Sequence, residues 1–377
     1  MLRVLSVIGT RPEGIKMAPV VKAFQDQAAH VRSVVCVTGQ HREMLNQVLE
    51  LFRIRPDYDL NLMEPDQTLA GLTGALFGGL DRVVTEVKPD WVLAQGDTTT
   101  VMVASLVAFY HRVKFGHVEA GLRTYDKWRP FPEEVNRRIA DLVADAYFAP
   151  TETAVRLLLQ EGVDPARVFV TGNTGIDALL DVAARPFEWD KSGLPSLPVD
   201  SRLVLITAHR RENFGEPFRE MCQAIRELAE VFASQRVHFI YPVHLNANVR
   251  SPVGEILGGL QNVSLIEPLD YLSLVHVMKR SELILTDSGG IQEEAPTFGV
   301  PVLVMRETTE RPEGVAAGMV RLVGTKRESI VREASHLLGD AAAKADWPRG
   351  ANPYGDGKAA KRIVAALLAS REKNVGN

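Results

Sequence analysis

The chain has only two cysteines among its 377 residues. Cys36 lies in a strand-like apolar run and Cys222 in a helix-like one, and neither belongs to a CxxC or Cys/His spacing. That excludes a disulfide framework and a thiolate metal site, and both cysteines read as small buried hydrophobes. A long apolar run is also missing. The N-terminus MLRVLSVIGTRPEG is apolar for a few residues before Arg11, too short for a secretory signal or a membrane span. The expectation is a cytoplasmic protein with no membrane partner. Positive charge is not in excess: a formal net charge of −4 at pH 7 argues against a nucleic-acid partner held by bulk charge. Neither GxxxxGK[ST] nor GxGxxG occurs, so a Walker site and a dinucleotide cofactor have no support.

What is present is the alternation of a doubly wound α/β protein. Short β-branched runs at Val4 to Ile8, Val34 to Thr38, Trp91 to Ala94, Phe115 to Val118, Tyr147 to Ala149 and Val168 to Thr171 read as buried parallel strands. Helical spacing separates them at Met17 to Gln27, Glu43 to Phe52 and Val101 to Tyr110. The rhythm pauses in a proline-rich stretch from Ala183 to Pro198. It then restarts with strands expected at Leu203 to Thr207, Val237 to Tyr241, Val263 to Ile266, Leu283 to Thr286 and Val302 to Val304. Two Rossmann-like domains follow from this, residues 1–172 and 173–357, with a C-terminal helix at about 358–377 packing back on the first. Such domains in tandem are expected to face one another across a cleft at the carboxyl ends of their sheets, where ligands bind.

Every motif with chemistry in it sits at a predicted strand end. Arg11 in Gly9-Thr10-Arg11-Pro12-Glu13, with Lys16 at the start of a helix, is a basic pair suited to a diphosphate, although surface charge reads the same way. Asp97 in QGDTTT, Glu119 in HVEAGLRT and Glu133 in PFPEEVNRR follow successive elements of the first domain. Each acid alone is compatible with a helix cap. Together they offer paired carboxylates for general acid/base work. In the second domain, His209 of AHRRENFG and His244 of YPVH end consecutive strands, with Arg210 and Arg211 available to a phosphate. The turn Asp287-Ser288-Gly289-Gly290 leads into a short helix. Ser288 is positioned to cap it, and Gly289 and Gly290 let an anion approach its N–H groups; an ordinary capped βαβ turn looks the same. Arg311 in ERPE follows the next strand and can reach back toward the same anion.

GTRPE, QGDTTT, HVEAGLRT, PFPEEVNRR, VTGNTGIDAL, AHRRENFG, YPVH and TDSGGIQEEAPTFGVPVL with TTERPE, in that order from residue 4 to about residue 320, resemble the non-hydrolysing UDP-N-acetylglucosamine 2-epimerases. The resemblance implies a glycosyltransferase-B-like fold and the interconversion of UDP-N-acetylglucosamine and UDP-N-acetylmannosamine, feeding cell-envelope polysaccharide synthesis. UDP would leave by anti elimination to 2-acetamidoglucal and add back with C2 protonated from the other face. On this resemblance Asp97, Glu119, Glu133 and His209 are catalytic, and which carboxylate removes and which returns the proton stays open. Arg11, Lys16, Arg137, His244, Ser288, Gly289, Gly290 and Arg311 would bind substrate, and Glu294 would take the ribose hydroxyls. The partners implied are UDP-N-acetylglucosamine, UDP and a second copy of the chain; no cofactor and no metal are expected.

One departure from the family pattern concerns activation by a second substrate molecule, through a Gln-His-Arg-Gln segment, a later arginine and the YPVH histidine. Here the segment reads Gln40-His41-Arg42-Glu43 and the arginine position reads Ala75, so weak or absent activation is expected. Three other functions fit parts of the pattern: a sugar transferase of the same fold, a hydrolysing epimerase that releases N-acetylmannosamine, and a nucleotide-sugar-binding scaffold. The three carboxylates exceed what the transferase or the scaffold needs, since an inverting transferase uses one base.

Overall fold

A computed structural model describes residues 1–39, 42–64, 67–198 and 200–375, and the side chains of all of these except 42, 43 and 371–375. The chain divides into two compact units, Met1–Leu180 with Tyr354–Asn377, and Asp181–Pro353. The first division falls inside the helix Thr174–Ala183.

The first unit holds a seven-stranded parallel sheet made of β1 (Leu2–Ile8), β2 (Val31–Val37), β3 (Tyr58–Asp59), β4 (Trp91–Gln95), β5 (Lys114–Val118), β6 (Ala146–Ala149) and β7 (Val168–Val170), in the order β3-β2-β1-β4-β5-β6-β7. The second holds a six-stranded parallel sheet of β8 (Arg202–Thr207), β9 (Val237–Pro242), β10 (Val263–Ile266), β11 (Leu283–Thr286), β12 (Val302–Val304) and β13 (Val320–Leu322), in the order β10-β9-β8-β11-β12-β13. Two architectures of one kind result, the doubly wound α/β class expected from the sequence.

The strands are apolar on both faces because helices cover both. Leu5, Val7, Val92, Ala94 and Phe115 pack with Leu76, Leu80 and Val83 of the helix Leu69–Val87 in one core. Val204, Ile206, Phe239 and Leu285 pack with Met221, Ile225 and Leu228 of the helix Glu216–Val231 in the other. Each such side chain contributes about 1.5–3 kcal/mol by leaving water. Cys36 and Cys222 are free and buried within these layers, and burial pushes both thiols up to about 12.

The strand orders locate the sites. In the first sheet the winding reverses between β1 and β4, and in the second between β8 and β11. In open α/β sheets this switch point leaves room beyond the strands' carboxyl ends, where ligands lodge. The segments after β1, β4, β8 and β11 are the GTRPE, QGDTTT, AHRRENFG and TDSGG motifs.

The first helix begins earlier than its apolar spacing suggests. It spans Arg11–Gln25, with Thr10 as N-cap and Pro12 in its first turn, where a proline's missing N–H costs nothing. Lys16 is therefore in the helix's second turn and not at its start. The short edge strands β3 and β13 have no counterpart in the expected set. The C-terminal helix Ala359–Val375 belongs to the first unit, and its start is tied to Asp177, whose carboxylate accepts the Ala359 and Ala360 N–H groups at 3.1 and 2.9 Å. Among the described residues no helix is long and apolar enough to cross a membrane.

Candidate active site

In the first unit the turn after β1 is closed by a capping box. Glu13 Oε2 accepts the N–H groups of Gly9 and, at 3.1 Å, of Thr10, and the Thr10 hydroxyl accepts from the Glu13 amide at 3.5 Å. A side chain at Gly9 would run into the Thr100 hydroxyl. The close approach brings β1's end against the Thr99–Tyr110 helix, and so Glu13 near Asp97. Burial pushes the Glu13 carboxyl up to about 7 and the Asp97 charge adds to this, against hydrogen bonds from Thr98, Gly9 and Thr10 that favour the ionised form.

Asp97, just past β4, takes a 2.6 Å salt bridge from Arg137, and its carbonyl accepts from Asn136 Nδ2 at 3.0 Å. Both donors come from the helix Glu133–Val143. Glu119, just past the adjacent strand β5, is bound by Lys16 Nζ at 2.5 Å. Its φ is +67°, a left-handed conformation rarely taken by a residue with this side chain and a known mark of functional turns. Glu133 opens its helix one turn before Arg137, on the same face, and its Oε2 is buried with no hydrogen-bond partner. Its neighbour Glu134 is fully engaged: it accepts the Thr124 and Tyr125 N–H groups, each at 3.0 Å, and lies 3.6 Å from Arg137.

In the second unit Asp287 is fully buried and organises two loops. Its carboxylate accepts the His209 N–H at 2.9 Å, the Arg210 N–H at 2.8 Å and Asn213 Nδ2 at 3.3 Å, which fixes the AHRREN segment against the TDSGG turn. The His209 and His244 rings stack 5.3 Å apart and nearly parallel. His244 Nδ1 accepts the Asn246 N–H at 3.1 Å, which leaves that ring's proton to Nε2. Burial holds the His209 imidazole below its ordinary value, with His244 and Arg210 adding to the effect and Asp287 opposing it. A concavity of about 350 Å³ is lined by these two histidines, Arg210, Arg211, Phe214, Asn246 and Ser288 to Gly290.

Two guanidinium groups converge on that turn. Arg210 Nη2 lies 3.4 Å and Arg311 Nη2 3.9 Å from where a Gly289 side chain would begin, so cationic donors occupy the space the glycine leaves. Arg311 is held by the Glu293 carboxylate, and Glu294 accepts from the Tyr271 hydroxyl at 3.3 Å. Arg306, buried, clamps Glu212 at 2.7 Å and Glu310 at 2.9 Å, which ties the AHRREN segment to the ERPE loop and lowers the Glu310 carboxyl to about 2. Among the described residues no group of three or more His, Cys, Asp or Glu side chains is arranged to hold a metal ion.

This two-part arrangement has close counterparts. Residues 23–368 match the family model described as UDP-N-acetylglucosamine 2-epimerase. The chain is 52% identical over 376 residues to the UDP-N-acetylglucosamine 2-epimerase of Escherichia coli, covering 98% of this chain and 99% of that one. The corresponding enzyme of Salmonella typhimurium is likewise 52% identical, with the same coverage. The solved structure of the Neisseria meningitidis UDP-GlcNAc 2-epimerase bound to UDP-GlcNAc superposes with a TM-score of 0.89 at 47% identity, over 98% of this chain and 100% of that one. The chain belongs to the UDP-N-acetylglucosamine 2-epimerase family. It is an enzyme of the isomerase type, with the glycosyltransferase-B-like fold of that family.

Several of the expected site residues lie in contact with one another. Lys16 meets Glu119, Asp97 meets Arg137, and His209 meets His244. Ser288, Gly289 and Gly290 line one concavity with the two histidines, and Arg311 reaches Gly289. Arg11 opens the first helix, partly buried. Ser288 does not cap its helix as expected: it occupies the cap position, but its side chain makes no capping hydrogen bond, and its own N–H is given to the Thr286 hydroxyl at 2.9 Å. Gln40 and His41 lie outside the described residues, as do the side chains of Arg42 and Glu43, while Ala75 sits partly buried in the Leu69–Val87 helix.

Reading the sequence alone missed Glu13, Glu293 and Asp287 as site-forming acids. Only Glu13 left a signal, the Thr10-x-x-Glu13 capping pattern ahead of an apolar run.

Proposed function

We propose that the chain interconverts UDP-N-acetylglucosamine and UDP-N-acetylmannosamine without hydrolysis. A carboxylate of the first unit takes the C2 proton, the C2–H electrons form the C1=C2 bond of 2-acetamidoglucal, and the C1–O bond breaks with its electron pair going to UDP. In the return step a UDP oxygen adds to C1 while a second acid delivers a proton to C2 from the opposite face. The C2 hydrogen is weakly acidic, so charge on the departing diphosphate has to be matched as it develops. Arg210 and Arg311 beside Gly289 serve that end, and Glu294 receives the ribose.

The observation that carries this reading is the set of carboxylates after β4, β5 and the PFP turn: Asp97 bound to Arg137, Glu119 bound to Lys16, and Glu133 with a buried oxygen that no donor holds. Acids in distinct electrostatic surroundings are what removal of a proton on one face and its return on the other demand. The UDP-GlcNAc bound to the Neisseria relative supports the substrate. The enzyme is taken to work in the cytoplasm as a homodimer, in line with the family resemblance.

The test is incubation with UDP-N-acetylglucosamine in heavy water, followed by NMR of the anomeric protons. Formation of UDP-N-acetylmannosamine with deuterium at C2 of both sugars is the expected result. Free N-acetylmannosamine would move the chain to the hydrolysing branch, and absence of exchange at C2 would sink the reading altogether.

A further inference from the structure

Beneath the candidate acids lies a buried charge network that the reaction scheme does not use. His117, next to last in β5, is fully buried. Its Nδ1 is 2.6 Å from Asp141 Oδ1 and its Nε2 is 2.7 Å from the Gly96 carbonyl oxygen. Both neighbours only accept. Asp141 is ionised, because its second oxygen already takes Arg123 Nη1 at 2.8 Å and the Gly121 N–H at 3.3 Å. A neutral ring has one N–H and would set a bare nitrogen lone pair against an oxygen on one of its two sides, an arrangement too costly to bury.

The charged groups facing the ring are Asp141 from the Glu133–Val143 helix and Arg123 from the turn after β5. Arg123 is itself closed off by Glu161 at 2.8 and 2.7 Å. The four charges cancel, which is how a buried ionic group survives. Burial alone would lower the His117 imidazole, yet the Asp141 carboxylate and the Gly96 carbonyl hold it above its ordinary value.

The connections of this ring are specific. Gly96 has a φ of +87° and immediately precedes Asp97, so the direction of its carbonyl sets where that peptide points. Asp141 lies one helical turn beyond Arg137 and two beyond Glu133, along the same side of their helix. Glu119 follows His117 by two residues. One ring thus joins the loop of Asp97, the strand that leads into Glu119 and the helix of Glu133 and Arg137.

We propose that His117 is a positioning residue, a permanently charged imidazolium that fixes the three acids relative to one another for proton transfer at C2. The proposal rests on the epimerase reading above. The amide nitrogen of an asparagine falls near Nδ1 of a histidine, and that of a glutamine near Nε2. H117N therefore keeps a donor for Asp141 and loses the tie to Gly96, whereas H117Q keeps the tie.

Expected for H117N is a fall in kcat of roughly 10- to 100-fold, the scale usual for groups that orient a reacting side chain. KM and UDP affinity should stay within about twofold, and H117Q should recover most of the loss. Wild-type turnover in folded H117N, or no advantage of Gln over Asn, would overturn the proposal. If neither variant folds, 15N NMR of the wild-type histidines decides it: His117 protonated on both nitrogens throughout roughly pH 6–9 supports the assignment, and a neutral tautomer in that range refutes it. Failure of the wild-type chain to exchange C2 hydrogen is a separate outcome, which removes the epimerase reading and not the charged ring.

Discussion

Lys16 and Glu119 stand 103 positions apart in the sequence and meet in a salt bridge of 2.5 Å, with both side chains largely shielded from water. The acid sits on a left-handed backbone that its side chain does not favour, so the turn is held by its surroundings and not by local preference. A lysine bound this closely fixes where the carboxylate sits, and the carboxylate fixes the ammonium in turn. Removal of either partner should therefore have the same consequence. K16M and E119Q are each expected to lower kcat by roughly 100-fold, and the double variant to be no more than about threefold worse than the poorer single one. Additive losses in a double-mutant cycle on C2 exchange would show that the two act independently.

The adjacent acids Glu133 and Glu134 should separate cleanly. Glu133 has an unpartnered buried oxygen, and Glu134 spends its carboxylate on the Thr124 and Tyr125 amides. E133Q is expected to lose roughly 100-fold in turnover with an unchanged melting temperature. E134Q should lose about 1–3 kcal/mol of stability, because a charged acceptor serving two amides becomes a neutral one. Paired thermal melts and rate measurements on both variants check this, and the reverse pattern would reassign the pair.

Much of this was legible in the sequence for a physical reason: buried parallel strands must be apolar on both faces, and their carboxyl ends must then carry the polar motifs. By that logic Asp97, Glu119 and His209 were expected just past strand ends, where the structure has them. Strands β3 and β13 were not, being two and three residues long at sheet edges, one of them reading only Tyr58-Asp59. Apolar spacing alone starts the first helix too late, because Pro12 and Gly14 look like loop residues, whereas a first turn tolerates proline. Partners across the fold leave no spacing to read. Nothing in the chain order announces that Arg137 answers Asp97, or that Asp287 serves the His209 loop and not an anion.

Glu13 makes the fold less stable as pH rises. Its carboxyl moves from the ordinary 4.5 to about 7 on folding, so the folded chain binds the proton more tightly than the unfolded one. The stability this gives is complete below about pH 4.5 and is lost as pH rises through 7, a change of roughly 3 kcal/mol. E13Q keeps an oxygen for the Gly9 and Thr10 amides and has nothing to ionise. Relative to the wild type it should gain up to about 3 kcal/mol between pH 5 and pH 8. Denaturant unfolding of the two chains at both pH values measures this, and a difference that does not change with pH would remove Glu13 from the account.

Arg210 and Arg311 point their guanidinium groups at the space over Gly289, and Arg311 is held there by Glu293. If that space receives the diphosphate, each arginine supplies a charge-assisted hydrogen bond, of about 1.5–3 kcal/mol. R210M and R311M should each weaken UDP binding by roughly 10- to 100-fold in calorimetry. E293Q should do so by a smaller factor, because the guanidinium stays but is no longer held in place. E119Q, in the other unit, should leave UDP affinity within about twofold, since its partner in the structure is Lys16. Equal losses from E119Q and R311M would mean that nucleotide affinity is not concentrated at the Ser288 to Gly290 turn.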